Sequence, residues 1–261
     1  MSAGRTLVVA GSDADANEIA LARAASIGRP IVVLHHRTDP HGRGETSAIW
    51  RRRARTAGGG AEIETIAGHG ALSSRGVAAI ARSYDAATVV VGDAAAERGR
   101  ITSIVDYAPV PVLVARRSEP AAAAIVGTDL RDDRFPAIRA AGELARGAEL
   151  ALTIVHAVEP SPAARGRFVL GEEWQSERVD AAQRRLRRAL WTTNAWGETM
   201  VLEAEPTAAL REAADNVSAA LIIVGTRRRH TGRRMLAGST ATAIARCAPC
   251  SVLVLPLPPC P

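Results

Sequence analysis

Short uninterrupted apolar runs alternate along this chain with longer segments in which apolar residues return every three or four positions. The runs are Thr6–Ala10, Ile31–Leu34, Ala86–Val91, Val110–Val114, Ala124–Val126, Leu152–Val155, Ala219–Val224 and Ser251–Leu255. None alternates strictly between apolar and polar, the pattern of parallel strands buried on both faces. Between them, sets such as Ala137, Ile138, Ala141 and Leu144, or Leu210, Ala213, Ala214 and Val217, fall at helical spacing. Strands alternating with helices predict βαβ units, a parallel sheet and right-handed crossovers.

The pattern occurs twice. An apolar run leading to a polar turn and an alanine-rich helix appears as Thr6–Asp13 and as Ala124–Asp129. A strand ending in histidine appears at His35 and His156, and a strand ending in glycine at Gly92 and Gly225. An Ala-Pro pair before a last strand appears at Ala108 and Ala248. The polar, turn-forming stretch Arg116–Ala121 separates the copies, which predicts domains over residues 1–118 and 119–261. The separation of matched positions widens along the chain, from Leu21/Ile138 through His35/His156 and Gly92/Gly225 to Ala108/Ala248. The first copy is therefore the shorter, and its last deletion lies after its fourth strand. In open parallel sheets ligands bind at that end, outside the strands' carboxyl termini.

Composition changes this picture little. At 261 residues and 47% hydrophobic the chain can bury two cores, which aliphatic side chains and alanine must fill because aromatics are 3%. All 33 basic residues are arginine, and the net charge is +6, which favours anionic partners in a general way. The arginines concentrate over Gln183–Arg188 and Arg227–Arg234 without interleaved aromatics, so the former reads as a solvated helix face and nucleic acid is not an expected partner. Three cysteines exclude a disulfide framework. No apolar run is long enough to span a bilayer, and Thr6–Ala10 is too short for a signal peptide, so a cytoplasmic protein with no membrane partner is expected.

The segment after the second glycine-ended strand reads Gly225-Thr-Arg-Arg-Arg-His-Thr-Gly-Arg-Arg-Met-Leu-Ala-Gly238-Ser239-Thr240. With the strand order and the Ala-Pro pair that follows, it resembles the nucleotide loop of the universal stress protein family: glycine, two residues, glycine, nine residues, then glycine and Ser or Thr. Its length matches, and Arg228 stands in place of the middle glycine. Such a loop works because glycine lets backbone N–H groups approach phosphate and a helix start supplies unpaired donors. The resemblance implies two Rossmann-like open, mainly parallel five-stranded sheets flanked by helices, arranged as a pseudo-dimer. It also implies ATP or a related nucleotide, with accompanying Mg, in the second domain. The implied contacts are Gly127, Thr128, Asp129, Ala157, Val224, Gly225, Arg227, Arg228, Gly238, Ser239 and Thr240. Asp129 takes the place of the family aspartate near adenine and ribose, and Ala157 that of a small residue near the base. Arg228 either fills the phosphate space or grips phosphate itself.

The first copy lacks these features. Arg98 and Gly99 stand where glycine and Ser/Thr belong, Asp93 and Glu97 add negative charge, and Ser12 or Asp13 matches the aspartate. It reads as a structural or partner-binding half. Cys247-Ala-Pro-Cys250 has dithiol spacing, but Ala-Pro-Cys is the family's lead into its fifth strand, and no second pair completes a zinc site. The histidines show no metal spacing, and no Ser-His-Asp order or carboxylate pair marks an enzyme. ATP hydrolysis would at most be slow and incidental. The expectation is a stress-response regulator that binds nucleotide. The rival is a scaffold without nucleotide, and the weakest reading a thiol sensor. The fifth strands, Val110–Val114 and Ser251–Leu255, are the edges expected to pair, within the chain or between copies.

Overall fold

β-Branched residues, threonines Thr6, Thr88 and Thr153 among them, build the central strands, because a strand covered on both faces must offer largely apolar side chains in both directions. In the computed structural model Leu7, Val8 and Val9 are all buried, as are Val89, Val90 and Val91. The structure describes residues 4–27, 29–36, 47–58, 62–68, 73–93, 98–117, 121–160, 169–227, 229–231, 234–236 and 239–258.

The elements of the first copy are β1 (Arg5–Val9), α1 (Ala14–Ser26), β2 (Ile31–His36), α2 (Ser47–Gly58), β3 (Ile63–Gly68), α3 (Ser74–Ser83), β4 (Ala86–Gly92), α4 (Arg98–Tyr107) and β5 (Val112–Ala115). The second contributes β6 (Ala123–Gly127), α5 (Pro136–Gly147), β7 (Ala151–Ala157), α6 (Val169–Thr193), β8 (Glu198–Leu202), α7 (Pro206–Asn216) and β9 (Leu221–Arg227). Then come β10 (Arg229–Thr231), β11 (Arg234–Leu236), α8 (Ser239–Cys247) and β12 (Ser251–Leu257).

The chain forms two compact units. One comprises Met1–Arg117, Arg228–Ala237 and Ser251–Pro256; the other comprises Ser118–Arg227, Gly238–Cys250 and Leu257–Pro261. In the first, five parallel strands run in the order β3-β2-β1-β4-β5. The two runs read as fifth strands pair with each other: β12 lies antiparallel to β5, with Val252 opposite Val114 and Val254 opposite Val112. Arg116 N and O both engage the buried Ser251 hydroxyl at the end of this pairing, at 3.1 and 3.3 Å. In the second unit, β9-β6-β7-β8 are parallel throughout. The architecture is the expected α/β class, a mainly parallel open sheet flanked by helices.

Alanine does much of the packing. On α1 the buried positions are Ala16, Asn17, Ala20, Leu21 and Ala24, so the helix approaches the sheet closely. A Cβ at Gly92 would stand 2.2 Å from the Ala16 carbonyl oxygen, which leaves glycine as the fitting residue there. Trp50 of α2 belongs to the same buried cluster as Leu21, Ile31 and Val33.

Candidate functional site

In the second unit the chain leaves β6 for β7 and β8 on one side and then returns to β9 on the other. The crevice between the carboxyl ends of β6 and β9 is thus the topological switch point, where connections depart in opposite directions and leave room for a ligand. Most of the predicted contacts gather there. Gly127 ends β6 opposite Val224, Thr128 and Asp129 follow it, and Arg227 ends β9.

Arg227 spans the crevice. Its Nη1 donates to Asp129 Oδ2 at 2.7 Å, and its Nη2 stands 4.0 Å from Asp132 Oδ2. Its Nε is buried and has no hydrogen-bond partner among the described residues. Leaving such a donor unmet costs about 1–3 kcal/mol, so an acceptor supplied by a ligand would be favoured.

The connection from β6 to α5 holds these carboxylates in place through short turns. Leu130 N donates to Thr128 Oγ1 at 3.1 Å, Arg131 N to Asp129 Oδ1 at 3.1 Å, and Arg134 N to Asp132 Oδ1 at 3.0 Å. These are the self-capping turns that Thr and Asp side chains favour. Leu130 and Phe135 adopt left-handed backbone, at φ 54° and 46°, a conformation that costs about 1–3 kcal/mol for such residues. Both side chains are buried, and that anchoring offsets the strain. Asp132 is nearly enclosed. Hydrogen bonds from the Arg134 guanidinium and backbone hold its carboxyl below the usual range, helped by the Arg227 charge.

His156, near the end of β7, donates from Nδ1 to the Thr128 carbonyl at 2.8 Å. A carbonyl can only accept, so the neutral ring carries its proton on Nδ1 and presents Nε2 as an acceptor. Burial pushes its pKa below the ordinary value, against the opposing pull of Thr128 and Asp129. Ala157 ends the same strand opposite Leu202 of β8. Ser239 and Thr240 open α8, the first exposed and the second half-buried. Arg228 and Gly238 lie outside the described residues. Residues flanking Arg228 form two short antiparallel strands, with Arg229 opposite Leu236 and Thr231 opposite Arg234.

Gly225 plays a packing part: a Cβ there would stand 2.3 Å from Leu257 Cδ1 and 3.4 Å from Ala137 Cβ. Gly127 likewise admits Leu210, whose Cδ2 would lie 2.9 Å from an added Cβ. Asp132, Leu130 and Phe135 are not among the contacts that the family resemblance implies. The signal for them was the connection itself, since eight residues separate β6 from α5 and only four separate β1 from α1.

The matching strand ends of the first unit are those of β1 and β4, and protein groups there bond to one another. Gly11 N donates to Asn17 Oδ1 at 2.8 Å, and Asn17 Nδ2 donates back to Gly11 O at 3.0 Å. Asp13 caps α1 by accepting from Ala16 N. Asp93, just past β4, accepts from Arg116 Nε at 2.7 Å. Elsewhere, Cys247 is exposed and Cys250 buried, and neither is in a disulfide among the described residues. His35, near the end of β2, is buried and stacks on Trp50 with ring centroids 6.2 Å apart. No group of three His, Cys, Asp or Glu side chains among the described residues could hold a metal ion, and no described helix is long and apolar enough to cross a membrane.

A mainly parallel sheet with such a switch point defines a doubly wound α/β protein. The universal stress protein family model matches residues 123–256, and the chain belongs to that family. A protein of unknown function from Pseudomonas aeruginosa PAO1 superposes with a TM-score of 0.71 at 17% identity, covering 98% of this chain and 93% of the other. A universal stress protein from Archaeoglobus fulgidus gives 0.63 at 15% identity, covering 98% and 99%. At such identities the likeness extends to the fold, over both copies. No curated protein matches the chain.

Proposed function

We propose that the second copy, residues 119–261, binds ATP or a related nucleotide at the β6/β9 crevice, and that the protein senses or regulates without a committed reaction of its own. The observation that carries this reading is Arg227, a guanidinium laid across a switch-point crevice with its buried Nε unmet among the described residues. The residue types suit a nucleotide. Asp129 has lone pairs beyond those used by Arg227 and Arg131 to accept ribose hydroxyls. Ala157 leaves space for a base. Ser239, Thr240 and the amino end of α8 suit phosphate, with Mg²⁺ shared by the phosphates when the nucleotide brings it.

The rival, a scaffold without nucleotide, draws support from Leu257 and Ala137 occupying the space beside Gly225. Calorimetric titration of ATP decides between them. Wild type is expected to bind below millimolar concentration, and Asp129→Asn or Arg227→Gln to weaken binding about tenfold, the effect of one charge-assisted hydrogen bond. Absence of heat from wild type at millimolar ATP would overturn the nucleotide reading in favour of the scaffold.

A further inference from the structure

We infer that the carboxyl-terminal half of α6 and the corner after it form a docking surface for an anionic lipid bilayer. Arg184, Arg187, Arg188 and Trp191 follow one another at helical spacing, and all are exposed. Trp196 follows on the corner leading to β8. Trp191 is 90% exposed and Trp196 81%, in a chain that has four tryptophans in all. Between Asp180 and Glu198 there is no acidic residue. The arginine cluster read from sequence as a merely solvated face therefore does have an aromatic partner, one helical turn further along.

The corner that presents the indoles is fixed. Thr193 Oγ1 donates to the Ala189 carbonyl at 2.7 Å, and Arg146 Nη2 donates to the Asn194 carbonyl at 3.1 Å. Ala195 is buried against Gly142, where an added Cβ would come within 2.9 Å. Backbone on both sides of the tryptophans is thus tied down while their rings stand in water.

Chemistry selects the occupant. Indoles favour the headgroup level of a bilayer, and each arginine near an anionic leaflet adds attraction. Single-stranded nucleic acid is held by bases stacked along a groove, but a ring 90% exposed has no protein wall beside it. A second copy docking through the same patch would bring its arginines against these, and like charges oppose that contact. The surface is a peripheral one and does not involve crossing the membrane.

Flotation of the full chain with vesicles tests this. Phosphatidylcholine vesicles containing about 30 mol % phosphatidylglycerol should retain at least about ten times more protein than phosphatidylcholine alone. The Trp191→Ala/Trp196→Ala and Arg187→Glu/Arg188→Glu variants should each lose about tenfold or more of that binding, with unchanged thermal midpoints because all four side chains are exposed. Brominated lipid should quench wild-type fluorescence and spare the double tryptophan variant. Equal binding to the two vesicle types, or full binding by either variant, would overturn the proposal. So would preferential capture by single-stranded RNA, or a dimer that the tryptophan substitutions abolish in protein without vesicle affinity.

Discussion

Asp129 and Arg227 are separated by 98 residues and joined at 2.7 Å. Each is an expected contact through the family resemblance, and each lies at or just past the end of a strand. Their ion pair is not expected, because nothing local in sequence records which way a side chain crosses a crevice. Asp132 and His156 give the same loop an acid response in two stages. Burial lowers the His156 pKa from 6.5, so the unfolded chain takes up that proton first, and stability falls as pH drops below about 6.5 until the folded value is passed. The difference in thermal midpoint between about pH 7 and pH 5 should therefore be smaller in His156→Gln than in wild type. Asp132 is lowered from 3.8, so its stabilising contribution persists at neutral pH and fades only as the pH falls below that value. The two switch-point glycines should also behave unequally. Gly92→Ala drives a methyl into the Ala16 backbone and should cost about 3 kcal/mol. Gly225→Ala meets the movable end of Leu257 and should cost nearer 1 kcal/mol, both measured by denaturant unfolding.

At the scale of elements, the strands legible in sequence are those covered on both faces. The two edge strands β3 and β8 were passed over, and their burial explains why. Glu198–Leu202 is exposed or half-buried at every position, and Ile63–Gly68 has no fully buried residue among those described, so neither makes a continuous apolar run. Helix α6, 25 residues long, was seen only as an arginine cluster because its apolar stripe is narrow. That stripe is nevertheless firm: Ala182, Leu186 and Ala189 are all buried. Leu186→Ala should cost about 2–5 kcal/mol, read as a lower denaturation midpoint, whereas Arg184→Ala on the opposite face should stay within about 0.5 kcal/mol.

For the molecule as a whole, the repeat was the most legible feature, since matched apolar runs survive divergence better than loops do. The pairing of the fifth strands was legible for the same reason: a short apolar edge needs cover. β12 supplies that cover for β5, with Leu253 opposite Leu113. A chain ending at Cys250 should therefore expose the Val112–Val114 edge and form larger species at rising concentration, detected by light scattering after size-exclusion chromatography. The path of the residues after β9 was not legible. The phosphate loop is expected from its length, Gly225 and the Gly238-Ser239-Thr240 end that the family resemblance matches. None of these records local pairing, and two three-residue strands, Arg229–Thr231 and Arg234–Leu236, form within it.

Asn17 has both hydrogen-bonding edges of its amide committed to Gly11, which fits the proposal that nucleotide is taken by the second copy alone. Saturation should then come at a single equivalent of nucleotide per polypeptide, with a Hill coefficient of about 1. Under that proposal the chain would report nucleotide concentration as a graded signal rather than a threshold, and any steepness would come from association between chains.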